Sequence, residues 1–134
     1  MIWTDTFANN RQSDIFSTTL GENNARLAEL NRQDIRVIVG NPPYSVGQDN
    51  ANDDNQNEHY EELDERIAAT YAARTEATLK NSLYDSYIRA YRWASDRIGE
   101  KGIISFVTNA GWIDSNSADG MRKCLAEEFS PIYI

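Results

Sequence analysis

The sequence is poor in the residues from which disulfides, metal sites and membrane spans are made. Cys124 is its one cysteine and His59 its one histidine, which excludes an intrachain disulfide and argues against a zinc site, so no metal is expected. No apolar run approaches the ~20 residues that cross a bilayer. The start, Met1-Ile2-Trp3-Thr4-Asp5, has neither a basic region nor an apolar signal core. Basic charge is also scarce, since 13 Lys and Arg stand against 21 Asp and Glu, for a net charge of −8. Neutralising phosphates supplies much of a DNA-binding domain's affinity, so this chain by itself is expected to bind DNA poorly. Its seven glycines, at positions 21, 40, 47, 99, 102, 111 and 120, form no G-x-G cluster. The remainder is ordinary. With 134 residues, 40% hydrophobic and 25% charged, the chain suits one globular domain with a single core, expected in the cytoplasm.

The chemistry-bearing stretch is residues 35–44, Ile-Arg-Val-Ile-Val-Gly-Asn-Pro-Pro-Tyr. Its β-branched run reads as a short strand buried on both faces. Asn41-Pro42-Pro43-Tyr44 would then stand at the carboxyl edge of a sheet, where open α/β folds bind ligands. Pro42 and Pro43 fix two successive φ angles and leave their carbonyls as acceptors on a stiff backbone. Asn41 adds a side-chain acceptor and donor, and Tyr44 a flat face with a polar tip. Such a set suits a planar group bearing an exocyclic amine, although Asn-Pro is also a common way to begin a turn.

Asn41-Pro42-Pro43-Tyr44 resembles the catalytic motif of the S-adenosylmethionine-dependent amino-methyltransferases, in the version carried by adenine-N6 DNA methyltransferases. The longer run Val39 to Gln48, followed by Ala51-Asn52-Asp53, is similar to the methylase portion of type ISP restriction–modification enzymes. The resemblance implies an incomplete Rossmann-like methyltransferase fold, α/β with parallel strands joined by crossover helices. It also implies catalytic roles for Asn41, Pro42, Pro43 and Tyr44. Asp5 on spacing alone reads as a turn or helix cap. In the resembling family an Asp-Thr-Phe ends a neighbouring strand, which implies that Asp5 accepts a hydrogen bond from the cofactor's adenine amine.

The rest of the chain divides simply. Residues 1–7 read as a strand end carrying the acidic motif, and Leu27 and Leu30 mark a short helix before the central strand. Residues 45–58 are dense in Asn and Asp and read as a flexible acidic loop. Residues 59–98 are helical, with a stretch from Glu61 to Ala73 and a stronger one from Leu79 to Ile98. In the latter an apolar stripe through Leu83, Tyr87, Ile88, Tyr91 and Ala94 faces the core, while Lys80, Asp85, Arg89, Arg92 and Asp96 form the solvated side. Residues 103–109 read as a second buried strand, which completes a βαβ unit and a parallel sheet. Residues 117–129 read as a helix and 131–134 as the beginning of another strand.

The resemblance places the cofactor's glycine-rich loop, and further strands of the sheet, before residue 1. The 134 residues would then be part of a methyltransferase catalytic domain and inactive alone, with double-stranded DNA gripped by other regions and an exposed sheet edge open to self-association. The implied reaction transfers a methyl group from S-adenosylmethionine to N6 of an adenine flipped out of the duplex. Two alternatives stay open: an RNA-base or protein-glutamine methyltransferase with the same motif, and a non-catalytic α/β binding module.

Overall fold

The computed structural model describes residues 6–7, 21–44 and 60–134. Residues 1–5 of the expected strand end (Asp5 among them), the whole acidic loop 45–58 and His59 lie outside the described residues.

Helix α1, Gly21–Arg32, buries Leu27, and Arg97 caps its end by donating to the Leu30 and Gln33 carbonyls at 2.7 and 3.1 Å. Strand β1, Val37–Gly40, follows. Helix α2, Glu61–Ile67, continues into a π-helical turn over Ala68–Ala72. A 3-10 turn, Asn81–Tyr84, precedes α3, Ser86–Arg97. Then come β2, Ile103–Phe106, the short α4, Gly111–Asp114, and α5, Asp119–Glu128.

The helix expected from Leu79 to Ile98 is therefore two elements. Asp85 adopts an extended conformation and its carboxylate accepts the Tyr87 N–H at 3.4 Å, so it caps α3 and breaks the run. At the other end Gly99, with φ +69°, takes the left-handed geometry that stops the helix.

β1 and β2 pair in parallel, with Val37 opposite Ile103 and Gly40 opposite Phe106. The connection between them runs through α2 and α3, and Ala94 and Ile98 of the α3 region pack on Ile38, Ile104 and Phe106. The arrangement is mixed α/β, as a partial methyltransferase fold requires. Burial on both faces of β1 does not hold. Ile38 is 9% exposed while Val37 and Val39 are 59% and 74% exposed, and Ile103 and Val107 on the partner strand are open too. One face meets α3 and the other is bare among the described residues, so an apolar run that looks symmetric in sequence is two-sided in space. β2 also stops at Phe106 rather than 109, and residues 131–134 join no strand among the described residues.

The larger core lies between α2, its π turn, α3 and α5, around Ile67, Tyr71, Leu83, Ile88, Met121 and Leu125. Gly120 makes that approach possible, because a Cβ there would collide with the Tyr71 carbonyl. The supposedly solvated side of α3 is corrected by this packing. Asp85, Arg89 and Arg92 are 7%, 5% and 2% exposed. Arg89 forks onto Asp64 of α2 at 2.7 and 2.8 Å. Arg92 bonds Glu128 of α5 at 2.8 Å and Asp96 at 2.9 Å, and Asp96 also takes Arg66 at 2.6 Å. Arg89 and Arg92 are buried because each has a carboxylate partner on a neighbouring helix.

Candidate active site

Parallel pairing brings two loops to one edge. Asn41 to Tyr44 leave the carboxyl end of β1, and Val107 to Ala110 leave that of β2. The Val107 N–H donates to the Gly40 carbonyl at 3.0 Å, which carries the ladder one bond into the second loop. The fit at Gly40 is close, since a Cβ there would stand 3.3 Å from the Phe106 ring, which would have to give by a few tenths of an ångström.

Within the first loop the residues alternate in exposure. Asn41 and Pro43 are exposed, Pro42 is buried and Tyr44 is half-buried. The Asn41 side chain bonds no other described residue. Tyr44 rests against Tyr87 of α3, with ring centroids 5.5 Å apart and planes at 55°. One turn further along α3, Tyr91 meets Phe106 at 5.2 Å and Trp112 at 5.6 Å. Arg122 holds the Trp112 segment by donating to the carbonyls of Trp112 and Ser115 at 2.7 and 2.9 Å. In the second loop Asn109 Oδ1 accepts the Gly111 N–H at 2.9 Å.

The edge is therefore floored by aromatic rings and carries no formal charge on residues 41–44 or 107–112. Burial pushes the Tyr87 phenol up to about 12, with the Asp85 carboxylate adding to it. Burial also raises the phenol of Tyr91, against a hydrogen bond with Thr108. Both rings stay neutral at physiological pH. An uncharged floor with a rigid acceptor corner can stack a neutral planar group and accept hydrogen bonds from its amine. The open groove lined by Glu61, Asp64, Glu65, Ala68 and Tyr84 includes none of these residues.

The match to known proteins decides the family. The model of the Eco57I restriction-modification methylases matches residues 2–134. The chain belongs to that family. Among solved structures, it is similar to the ATP-dependent type ISP restriction-modification enzyme LlaBIII bound to DNA, with 45% identity and a TM-score of 0.85 over 96% of this chain and 9% of that one. A nuclease-deletion mutant of the type ISP enzyme LlaGI, in complex with a DNA substrate mimic, gives 44% identity and 0.83 over 96% of this chain and 12% of that one. The DrdV–DNA complex gives 48% identity and 0.74 over 81% of this chain and 11% of that one. No curated protein sequence matches it. The chain thus spans about a tenth of the length of these relatives.

Membership of this methylase family implies use of S-adenosylmethionine. The described residues at the edge fit the amine-accepting end of such a site, being acceptors and rings. Asp5, the residue expected at the cofactor end, lies outside the described residues, but Phe7, two positions on, stacks edge-on to Tyr60 at 5.4 Å. No group of three or more His, Cys, Asp or Glu among the described residues is placed to hold a metal, and no helix among them is long and apolar enough to cross a membrane. Sequence reasoning placed Tyr87 and Tyr91 in a core stripe and missed that they floor the edge. Their helical spacing signals burial, not which end of the sheet they lie under.

Proposed function

We propose that this chain is the base-handling part of a cytoplasmic, site-specific DNA methyltransferase that methylates N6 of adenine, within a longer restriction–modification enzyme. The observation that carries the reading is the Asn41-Pro42-Pro43-Tyr44 corner at the carboxyl edge of a parallel pair, with the Asn41 amide bonded to no other described residue and Tyr44 set on an aromatic floor. Membership of the methylase family supports it, as does the DNA bound in the three related structures. The finer fold reading, an incomplete Rossmann-like sheet, belongs to the same proposal.

In the mechanism the target adenine leaves the duplex, because its N6 is otherwise paired and stacked. Tyr44 stacks on the extruded ring. The Asn41 side-chain carbonyl and the Pro42 backbone carbonyl accept the two N6 hydrogens, and Pro43 stiffens the corner. The amine lone pair is then held toward the methyl donor, and the positive charge that develops on nitrogen meets fixed dipoles. S-adenosylmethionine, when bound, supplies an electrophilic methyl group, and Asp5 would accept its adenine amine. Double-stranded DNA is gripped elsewhere in the longer enzyme, consistent with the net charge of −8 on this chain.

The test is a methylation assay with radiolabelled S-adenosylmethionine on unmethylated DNA, followed by nucleoside analysis. The full-length enzyme should yield N6-methyladenine, Asn41→Ala should reduce the rate by ~10²- to 10³-fold or more with folding intact, and the 134 residues alone should transfer nothing. Label appearing in RNA or glutamine and not in DNA would move the substrate to the alternative class. Full activity of Asn41→Ala would remove the catalytic role altogether.

A further inference from the structure

Among the described residues Tyr44 makes ring contact and no hydrogen bond, so within them packing sets the plane of its ring. Its ring partner among the described residues is Tyr87, a residue that is 6% exposed and whose backbone N–H is fixed by the Asp85 cap. Tyr87 also reaches the second loop. Its hydroxyl lies 3.9 Å from where a Cβ on Gly111 would stand, and the same Cβ would come within 3.0 Å of Asn109 Oδ1. Gly111 is thus the point at which the tip of Tyr87 meets the loop after β2. One side chain, projecting from the first turn of α3, underlies both loops of the candidate site.

We infer that Tyr87 is a positioning residue for methyl transfer: its ring sets the plane on which Tyr44 receives the target base, and its tip sets the height of the loop around Gly111. This rests on the methyltransferase reading of the corner. The physical basis is that Tyr87 is anchored at its backbone by a helix cap and neutral throughout the working pH range, so it presents a fixed surface. Tyr44, which bonds no other described residue, takes its tilt from that surface. Removing the ring lets Tyr44 sink toward α3 and carries the stacked base with it, and a displacement of about 1 Å in a reacting group costs up to ~10²-fold in rate.

The experiment compares Tyr87→Leu, Tyr87→Met, Tyr87→Phe and Asn41→Ala in the full-length enzyme. Steady-state methylation of unmethylated plasmid DNA is normalised to the fraction of enzyme that binds DNA. Tyr87→Leu and Tyr87→Met, which fill space without presenting a plane, should lower kcat by ~10- to 100-fold with the KM for DNA within about 3-fold of wild type. Tyr87→Phe, which keeps the ring, should restore most of the rate. A merely structural role would lower the binding-competent fraction and leave kcat per competent molecule unchanged, and that result overturns the inference. So does Tyr87→Phe failing as badly as Tyr87→Leu. If Asn41→Ala is inactive while Tyr87→Leu and Tyr87→Met turn over normally, positioning alone fails. If Asn41→Ala is fully active, the methyltransferase reading of the corner fails with it.

Discussion

Arg89 and Tyr87 stand two residues apart on one helix and show how position decides what a side chain is for. Arg89 is buried because Asp64 answers both arms of its guanidinium, and their side chains are only 6% and 15% exposed. Tyr60 adds its ring 5.5 Å from the same guanidinium. Breaking a pair of this kind leaves a charge stranded in an apolar setting, so Arg89→Ala should cost ~3–5 kcal/mol in urea unfolding. Replacing both partners, Arg89→Met with Asp64→Leu, should recover most of that loss, because the stranded charge is gone. Tyr87 makes a different prediction. Its phenol has an ordinary value of 10.0 and is pushed up to about 12 in the folded chain, so folded protein holds the proton more tightly than unfolded. Below about pH 10 both states are protonated and the stabilisation is complete. As pH rises from 10 toward 12 the unfolded chain ionises first, and stability falls. Tyr71, raised further by its burial, acts in the same direction. Unfolding midpoints measured between pH 9 and 12 should therefore decline, and Tyr87→Phe should flatten part of the decline.

Among the elements, α3 has the largest influence on the site, because it supports β1 and β2 from one side and supplies Tyr87 and Tyr91 to the edge. Its start depends on one carboxylate. Asp85→Ala removes the acceptor for the Tyr87 N–H and should cost ~0.5–2 kcal/mol, read as a lower melting temperature, with Asp85→Asn much milder. The acidic and basic groups between helices act as a lock on the same element. Burial alone would raise the Asp96 carboxyl, but the hydrogen bond from Arg66 and the charges of Arg92 and Arg66 hold it below the usual range. That contribution is present at neutral pH and is lost as acid protonates the group. The sheet is the complementary case. Among the described residues, Val37 and Val39 of β1, Ile103 of β2 and Val107 just after it leave an apolar face uncovered, and exposed patches with unpaired edges recruit other chains. We propose that the isolated 134 residues self-associate through this surface. Light scattering should give a mass above the monomer's 15.2 kDa, falling toward it in Val39→Lys. A monodisperse monomer with the native sequence would refute the proposal.

At the scale of the whole molecule, net charge, local pattern and packing answer different questions. Charge and composition already argued against a lone DNA-binding domain, and the chain spans about a tenth of the length of the related structures. Much of the fold was legible too. The apolar runs at 35–39 and 103–109 correspond to strands at 37–40 and 103–106, and the expected parallel pairing is present. The stretch at 117–129 corresponds to α5. Less legible were the break at Asp85, the burial of Arg89 and Arg92, and the bare outer face of β1. The burial of Arg89 and Arg92 depends on carboxylates 25 and 36 residues away, for which hydropathy read along the chain contains no term. The break at Asp85, by contrast, is a local cap that a strong apolar stripe concealed. The same division runs through the candidate site. A diproline corner following an apolar run is short-range information, since two fixed φ angles and the residue types beside them are set by neighbours in sequence, and the chain alone determined it. That Tyr87 lies beneath Tyr44, and that the Gly111 loop closes the same edge, was decided only when α3 packed against β1 and β2, because burial and ring contact are properties of elements meeting in space.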